Sequence, residues 1–95
     1  MDPTHYGEER RKYFSISNQL LAYLQKFGKC PGCHNNLHIY AAPHTPSLNV
    51  RCHDCDCNVV LTVSSQYNTV QSLVRSLYCD LNVQYQEKLV ARLRE

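Results

Sequence analysis

The chain has 95 residues, ten Lys and Arg against eight Asp and Glu, and six cysteines. At this length one small core stands near the limit of independent stability, so a staple such as a metal, disulfides or a partner subunit is expected. Three glycines, four prolines and 43% hydrophobic residues exclude a disordered chain. No apolar run approaches the roughly 18 residues of a membrane span, and a formal net charge of +2 is far from a strongly basic field.

The N-terminus, Met1-Asp2-Pro3-Thr4-His5, has no hydrophobic stretch of the kind that directs export. That predicts an intracellular protein, cytoplasmic and/or nuclear, and no membrane partner. In a reducing compartment clustered cysteines bind metal more often than they pair as disulfides.

Residues 8–28 read as an amphipathic helix. Tyr13, Ile16, Leu20, Leu24 and Phe27 recur at steps of three and four, and Phe14 and Leu21 widen the stripe. Glu8 and Glu9 suit the positive end of the helix dipole and Lys26 the negative end. Gly28 stands where a C-terminal cap takes a left-handed residue. Ser15, Ser17 and Asn18 weaken the interior and leave a start nearer Ile16 open.

The pattern then changes period. Leu37, Ile39 and Ala41 alternate with His38 and Tyr40, and Leu48 and Val50 alternate into Cys52, both strand signals. Between them Ala42-Pro43-His44-Thr45-Pro46-Ser47 is a turn, since two prolines cannot sit inside a ladder. Asn58 to Val63 is β-branched enough for a third strand. Helical spacing returns with Val70, Leu73, Val74 and Leu77, capped by Asn68 or Thr69. Asp80-Leu81-Asn82-Val83 is a candidate break before a last helix. There Tyr85, Leu89, Val90 and Leu93 form a stripe while Glu87, Lys88, Arg92 and Arg94 face water. A single helix from Thr69 to Arg94 is the competing reading.

The chemistry lies in Cys30-Pro31-Gly32-Cys33 and Cys52-His53-Asp54-Cys55, a C-x2-C pair repeated after 18 residues. Each pair fits a tight turn whose backbone amides can point at the sulfurs. Two such turns place four thiolates in a tetrahedron, which zinc accepts without ligand-field penalty. The 18 intervening residues suffice for the hairpin that brings the turns together. One structural Zn2+ per chain on Cys30, Cys33, Cys52 and Cys55 is therefore expected. Four thiolates on one dication carry a formal charge of about −2, which brings the loaded chain close to neutral. An iron–sulfur cluster on these ligands and a thioredoxin-like redox pair at Cys30 and Cys33 are the competing readings. Such a redox motif precedes a long helix, which Asn35-Asn36-Leu37 does not begin. A hydrolytic zinc needs an open position that four cysteines leave none of, so no enzyme is expected.

Around the quartet, Cys57, His34 and His53 are alternative metal ligands, and Cys57 also reads as a small residue entering the third strand. His38 and His44 read as surface hairpin residues, and Cys79 as a small apolar residue packed on a helix. Candidate nucleic-acid contacts are Arg10, Arg11, Lys12, Lys29 and Arg51, with seven tyrosines in the chain available for stacking.

With Leu37 after the first pair, and with Val50-Arg51-Cys52-x2-Cys55 followed by Val59, Leu61 and Val63, residues 29–65 resemble a zinc ribbon. The same residues are similar to the zinc fingers of the plant YABBY and lesion-simulating-disease families, without the YABBY partner domain. Cys52-x2-Cys55, the strand after it, and Val70, Leu73 and Leu77 resemble the zinc domain of papillomavirus transforming proteins. That family's second C-x2-C position is occupied here by Tyr85-Gln86-Glu87-Lys88, so its metal site does not carry over. Small plant-virus silencing suppressors with paired knuckles are similar too. These resemblances imply a regulator, a viral one by the last two, whose zinc core carries helices that bind other proteins.

The expected fold is α+β: a single domain over 1–95, with a three-stranded antiparallel zinc ribbon at 29–65, an N-terminal helix and one or two helices in 66–95. The expected function is a non-enzymatic adaptor or regulator that binds a protein partner or forms a homodimer through its apolar stripes. An RNA- or DNA-binding zinc-ribbon protein, such as a transcription regulator or silencing suppressor, is the alternative.

Overall fold

In a computed structural model, which describes residues 3–42 and 44–94, the elements are α1 (Pro3–Phe27), β1 (His38–Ala41), β2 (Ser47–Cys52), β3 (Cys57–Thr62) and α2 (Val70–Arg94). The sheet is an antiparallel meander in the order β1-β2-β3. Val50 of the central strand pairs with Ile39 on one side and Val59 on the other. This is the expected α+β arrangement, with the second cysteine pair at the β2–β3 end of the sheet and the first between α1 and β1.

Alternation divides the sheet into two faces. Leu48, Val50, Cys52, Cys57, Val59 and Leu61 are buried, while Arg51, Asn58, Val60 and Thr62 between them are exposed. Both helices cover the same face, α1 against β1 and β2 and α2 against β3, and they also touch each other. Leu20 and Leu24 of α1 and Leu73, Leu77 and Leu81 of α2 fill the space between the layers. Each leucine buried this way contributes about 1.5–3 kcal/mol.

The helices depart from the sequence reading at their ends. α1 begins at Pro3, well before Glu8, because proline is compatible with a first helical turn. Glu8 and Glu9 consequently lie past that first turn, and their dipole role lapses. Phe27, expected in the stripe, is 53% exposed.

α2 is one helix, and the break at Asp80–Val83 does not occur. Asp, Asn and Val each cost a helix only about 0.5–0.7 kcal/mol relative to alanine. Burying Leu81 in register with Leu73 and Leu77 offsets that, and no Gly or Pro intervenes. The start is capped at Thr69, whose Oγ1 accepts the Ser72 N–H at 3.0 Å while the Thr69 N–H reaches Ser72 Oγ at 3.3 Å. Ser72 takes the place that Glu or Gln holds in a capping box.

Both helices run from the β1–β2 turn toward the cysteine end. Arg10 lies beside the His44 carbonyl at 3.4 Å, and α1 leads directly into Cys30. α2 starts after β3 has reached the turn end and returns past Asn58 at the other. The helices outrun the short sheet, giving a molecule 56 Å long with a radius of gyration of 15.3 Å, against about 12 Å for a compact chain of this size. Among the described residues no helix is long and apolar enough to cross a membrane.

Candidate metal centre

The first knuckle grows out of the end of α1. The Gly28 N–H closes the last helical turn on the Leu24 carbonyl at 2.7 Å. Gly28 is not left-handed, contrary to the capping expectation. A side chain is excluded for another reason: its Cβ would run into the Leu24 carbonyl group, with the carbonyl carbon at 3.2 Å. The chain then doubles back on itself. Lys29 bridges Asn36, the Cys30 N–H bonds the Asn35 carbonyl at 2.9 Å, and the His34 N–H bonds the Cys30 carbonyl at 2.8 Å. The second knuckle is the β2–β3 turn, closed by the pairing of Cys52 with Cys57.

The two knuckles share one backbone design. His34 (φ 64°) and Asp56 (φ 54°) are the only left-handed non-glycine residues described, and each follows the second cysteine of its pair. His and Asp tolerate that region better than most side chains. The Gly32 N–H faces Cys30 Sγ and the Cys55 N–H faces Cys52 Sγ, both at 3.4 Å.

Together the knuckles bring the four sulfurs of Cys30, Cys33, Cys52 and Cys55 within 4.8 Å of one another. The contacts between knuckles are 3.8 Å for Cys30 to Cys55 and 3.5 Å for Cys33 to Cys52. A tetrahedron with Zn–S bonds of about 2.3 Å has S–S edges of about 3.8 Å, whereas a disulfide needs about 2.05 Å. The spacing fits four sulfurs around one ion and does not fit two bridges.

Thiols this close resist ionising together. Burial pushes Cys52 up to about 11 and, reinforced by the other three sulfurs, pushes Cys55 higher still. The Asn35 backbone amide works the other way at Cys33 and holds it below the ordinary thiol value. A dication among them reverses this balance and draws the thiolates out.

α2 braces the site from one side. Gln84 clamps the outer edge of β3, accepting the Asn58 N–H at 3.0 Å and donating to its carbonyl at 2.8 Å. Lys88 reaches the second knuckle at the Asp56 carbonyl and lies 3.5 Å from its carboxylate. The expectation that Lys88 faces water fails on this contact. Lys88 and Arg92 line a cleft with Cys33 and Cys55, and their charge complements a thiolate cluster. Gln84 and Lys88 stand four residues apart on one helix face, a spacing that carries no signal of what that face meets.

Tyr85 covers Gly32. A Cβ on Gly32 would stand 2.7–2.8 Å from Tyr85 Cε2 and Cγ, so glycine here is required by close approach. Gly32→Ala is expected to cost about 1–3 kcal/mol through overpacking. In a Tyr85→Ala background the same change should cost far less. Denaturant titration of the zinc-loaded variants as a double-mutant cycle measures the coupling.

The remaining candidates lie outside the four-sulfur group. Cys57 is buried as the first residue of β3, with its Sγ 3.6 Å from the Cys55 carbonyl. Burial raises its thiol, and Lys88 partly opposes that. His34 is exposed, and His53 turns to the open face of the sheet against His38. Cys79 is exposed, so its expected packing role does not hold.

The basic residues are not gathered. Arg10, Arg11 and Lys12 lie toward the start of α1, and Lys29, bound to Asn36 Oδ1 at 2.6 Å, lies beyond its end. At about 1.5 Å per residue the groups are more than 20 Å apart. Arg51 alone stands on the sheet.

The chain matches no protein-family model, no curated protein and no solved structure. No role therefore comes to the four-cysteine module from a relative.

Proposed function

We propose that the chain is a non-enzymatic zinc module. One structural zinc ion on Cys30, Cys33, Cys52 and Cys55 fixes the sheet to the helices, and the outer turns of α2 dock a protein partner, in the first instance a second copy of the chain. One observation carries this reading. The four-sulfur cluster, whose ligands would fill a zinc ion's coordination sphere, is braced by a helix whose far end stays uncovered.

Val83, Val90 and Leu93 are 50%, 46% and 86% exposed. They recur at steps of seven and three, the spacing of a helix–helix seam. Exposed apolar residues in register mark interaction sites, whereas scattered ones need no explanation.

Light scattering behind size exclusion, on zinc-loaded protein at micromolar concentration, tests the reading. The expected mass is that of a dimer, and Val90→Asp with Leu93→Asp should return the monomer with zinc retained. A strict monomer would assign the seam to a different protein, and a chain that takes up no zinc would overturn the reading.

Nucleic acid is the second reading. The observation in its favour is the sheet face turned away from the helices, which presents Tyr40, His38 and Arg51 and no carboxylate.

A further inference from the structure

The geometry points to the open face of the sheet as a stacking platform for single-stranded RNA, an inference that rests on the second reading above and assigns it residues. Antiparallel register places Tyr40, Asn49 and Val60 side by side across the three strands, with His38 beside Arg51 one pair further on. Both helices lie on the other face, which leaves Tyr40 50% and Val60 60% exposed.

The aromatic and cationic groups form one continuous patch. His38 and His53 meet edge to face with ring centroids 4.1 Å apart, Tyr40 Oη lies 3.4 Å from His53 Nε2, and the Arg51 guanidinium stands 5.8 Å from the Tyr40 ring centroid. His53 meets the Tyr40 hydroxyl and Arg51 lies over its ring, while half of the side chain stays exposed. Bases stack on such rings whatever their identity, and arginine adds charge for the backbone.

Charge complementarity favours a polyanion over a peptide. None of the three strands contains Asp or Glu. Of the rim carboxylates, Asp54 is held by the Asn35 amide at 3.0 Å, and Asp56, fully exposed, lies 3.5 Å from Lys88. Arg51 is the one cation of the strands, so any attraction is local to the patch and not a property of the near-neutral whole.

The same face carries groups suited to ribose. Asn49, half-buried between Tyr40 and Val60, places an amide side chain at the centre of the face. Ser47 and Thr62 lie beside it with their hydroxyls 2.9 Å apart. The 2′-hydroxyl is the group that separates RNA from DNA at such a surface. Strands about 4.8 Å apart give the face room for two or three bases.

Fluorescence anisotropy of a labelled single-stranded RNA dodecamer with the zinc-loaded full chain tests the assignment. Tyr40→Ala should weaken binding by about tenfold or more, and Tyr40→Phe should retain it. Arg51→Gln should weaken binding and lower the slope of log affinity against log salt by about 0.7. Arg11→Gln, at the far end of α1, should change little.

Zinc content, circular dichroism and oligomeric mass should be the same in all four variants, which separates this test from the zinc and docking readings. The assignment falls if no RNA binds at tens of micromolar protein, or if Tyr40→Ala leaves binding intact. It also falls if duplex RNA or single-stranded DNA of the same length binds as tightly.

Discussion

Removing zinc with a chelator should unfold the whole chain, helices included, in one cooperative step. Structural zinc on thiolate ligands contributes about 10–16 kcal/mol of apparent binding energy at neutral pH, against a net stability of about 5–15 kcal/mol for a typical domain. An ion on the four sulfurs would join segments that are otherwise thinly connected. The first knuckle reaches the rest through Tyr85 over Gly32 and the Asn35–Asp54 hydrogen bond, and the second ends a sheet only six residues long.

Cys52→Ser should reproduce the effect. Cys52 ends the central strand, is 1% exposed, and has a partner in the other knuckle at 3.5 Å. Cys57→Ser is the internal control: it is equally buried and outside the cluster, so it should cost only about 1–3 kcal/mol and keep the metal.

Acid should act like the chelator. Zinc would bind the sulfurs only as thiolates, so protons compete with the metal and a loaded fold holds fewer of them than the unfolded chain. Stability is then lost as pH falls, because the unfolded chain binds more protons. Far-UV circular dichroism against chelator and against pH, with released zinc followed by a colorimetric indicator, measures both. Unchanged helicity after complete zinc removal would refute the role given to the metal.

How much of this could be read from residues follows from the range of the interactions involved. The cysteine quartet was legible because spacing alone specifies it: two turns, 18 residues apart, have one economical way to share an ion. The strands were legible through their period, since Leu48, Val50, Val59 and Leu61 face the helices and their neighbours do not.

What was not legible depended on contacts between distant elements. Asp80-Leu81-Asn82-Val83 reads as a break by local preference, and only the space waiting for Leu81 between the layers keeps the helix whole. The amide clamp of Gln84 on Asn58 and the closeness of Tyr85 to Gly32 join residues 26 and 53 apart, and no local pattern announces them. The exposure of Leu93 follows from where the helix leaves a short sheet, and that of Cys79 from its place on the side of α2 opposite Leu77 and Leu81.

The second large effect is expected at Leu77. It is fully buried, flanked along α2 by Leu73 and Leu81 at 2% and 1% exposure, and belongs to the cluster with Leu48, Val50, Val59 and Leu61 of the sheet and Leu20 and Leu24 of α1. Leu77→Ala removes the middle contact of α2 with that core. The loss combines transfer of the missing methyl and methylene groups with a cavity that rigid strands on one side and α1 on the other cannot close, about 3–5 kcal/mol in all. Leu93→Ala removes the same atoms from a side chain 86% exposed and should change monomer stability by less than about 0.5 kcal/mol.

The two variants separate packing from metal binding. Both knuckles are closed by backbone bonds that do not involve Leu77, so Leu77→Ala should still bind one zinc while its denaturant midpoint falls sharply. Denaturation of both variants at a protein concentration too low for association, alongside zinc stoichiometry, checks this. Equal midpoints for Leu77→Ala and the parent chain would show that α2 does not rest on the sheet through this residue, and the two-layer core would have to be abandoned.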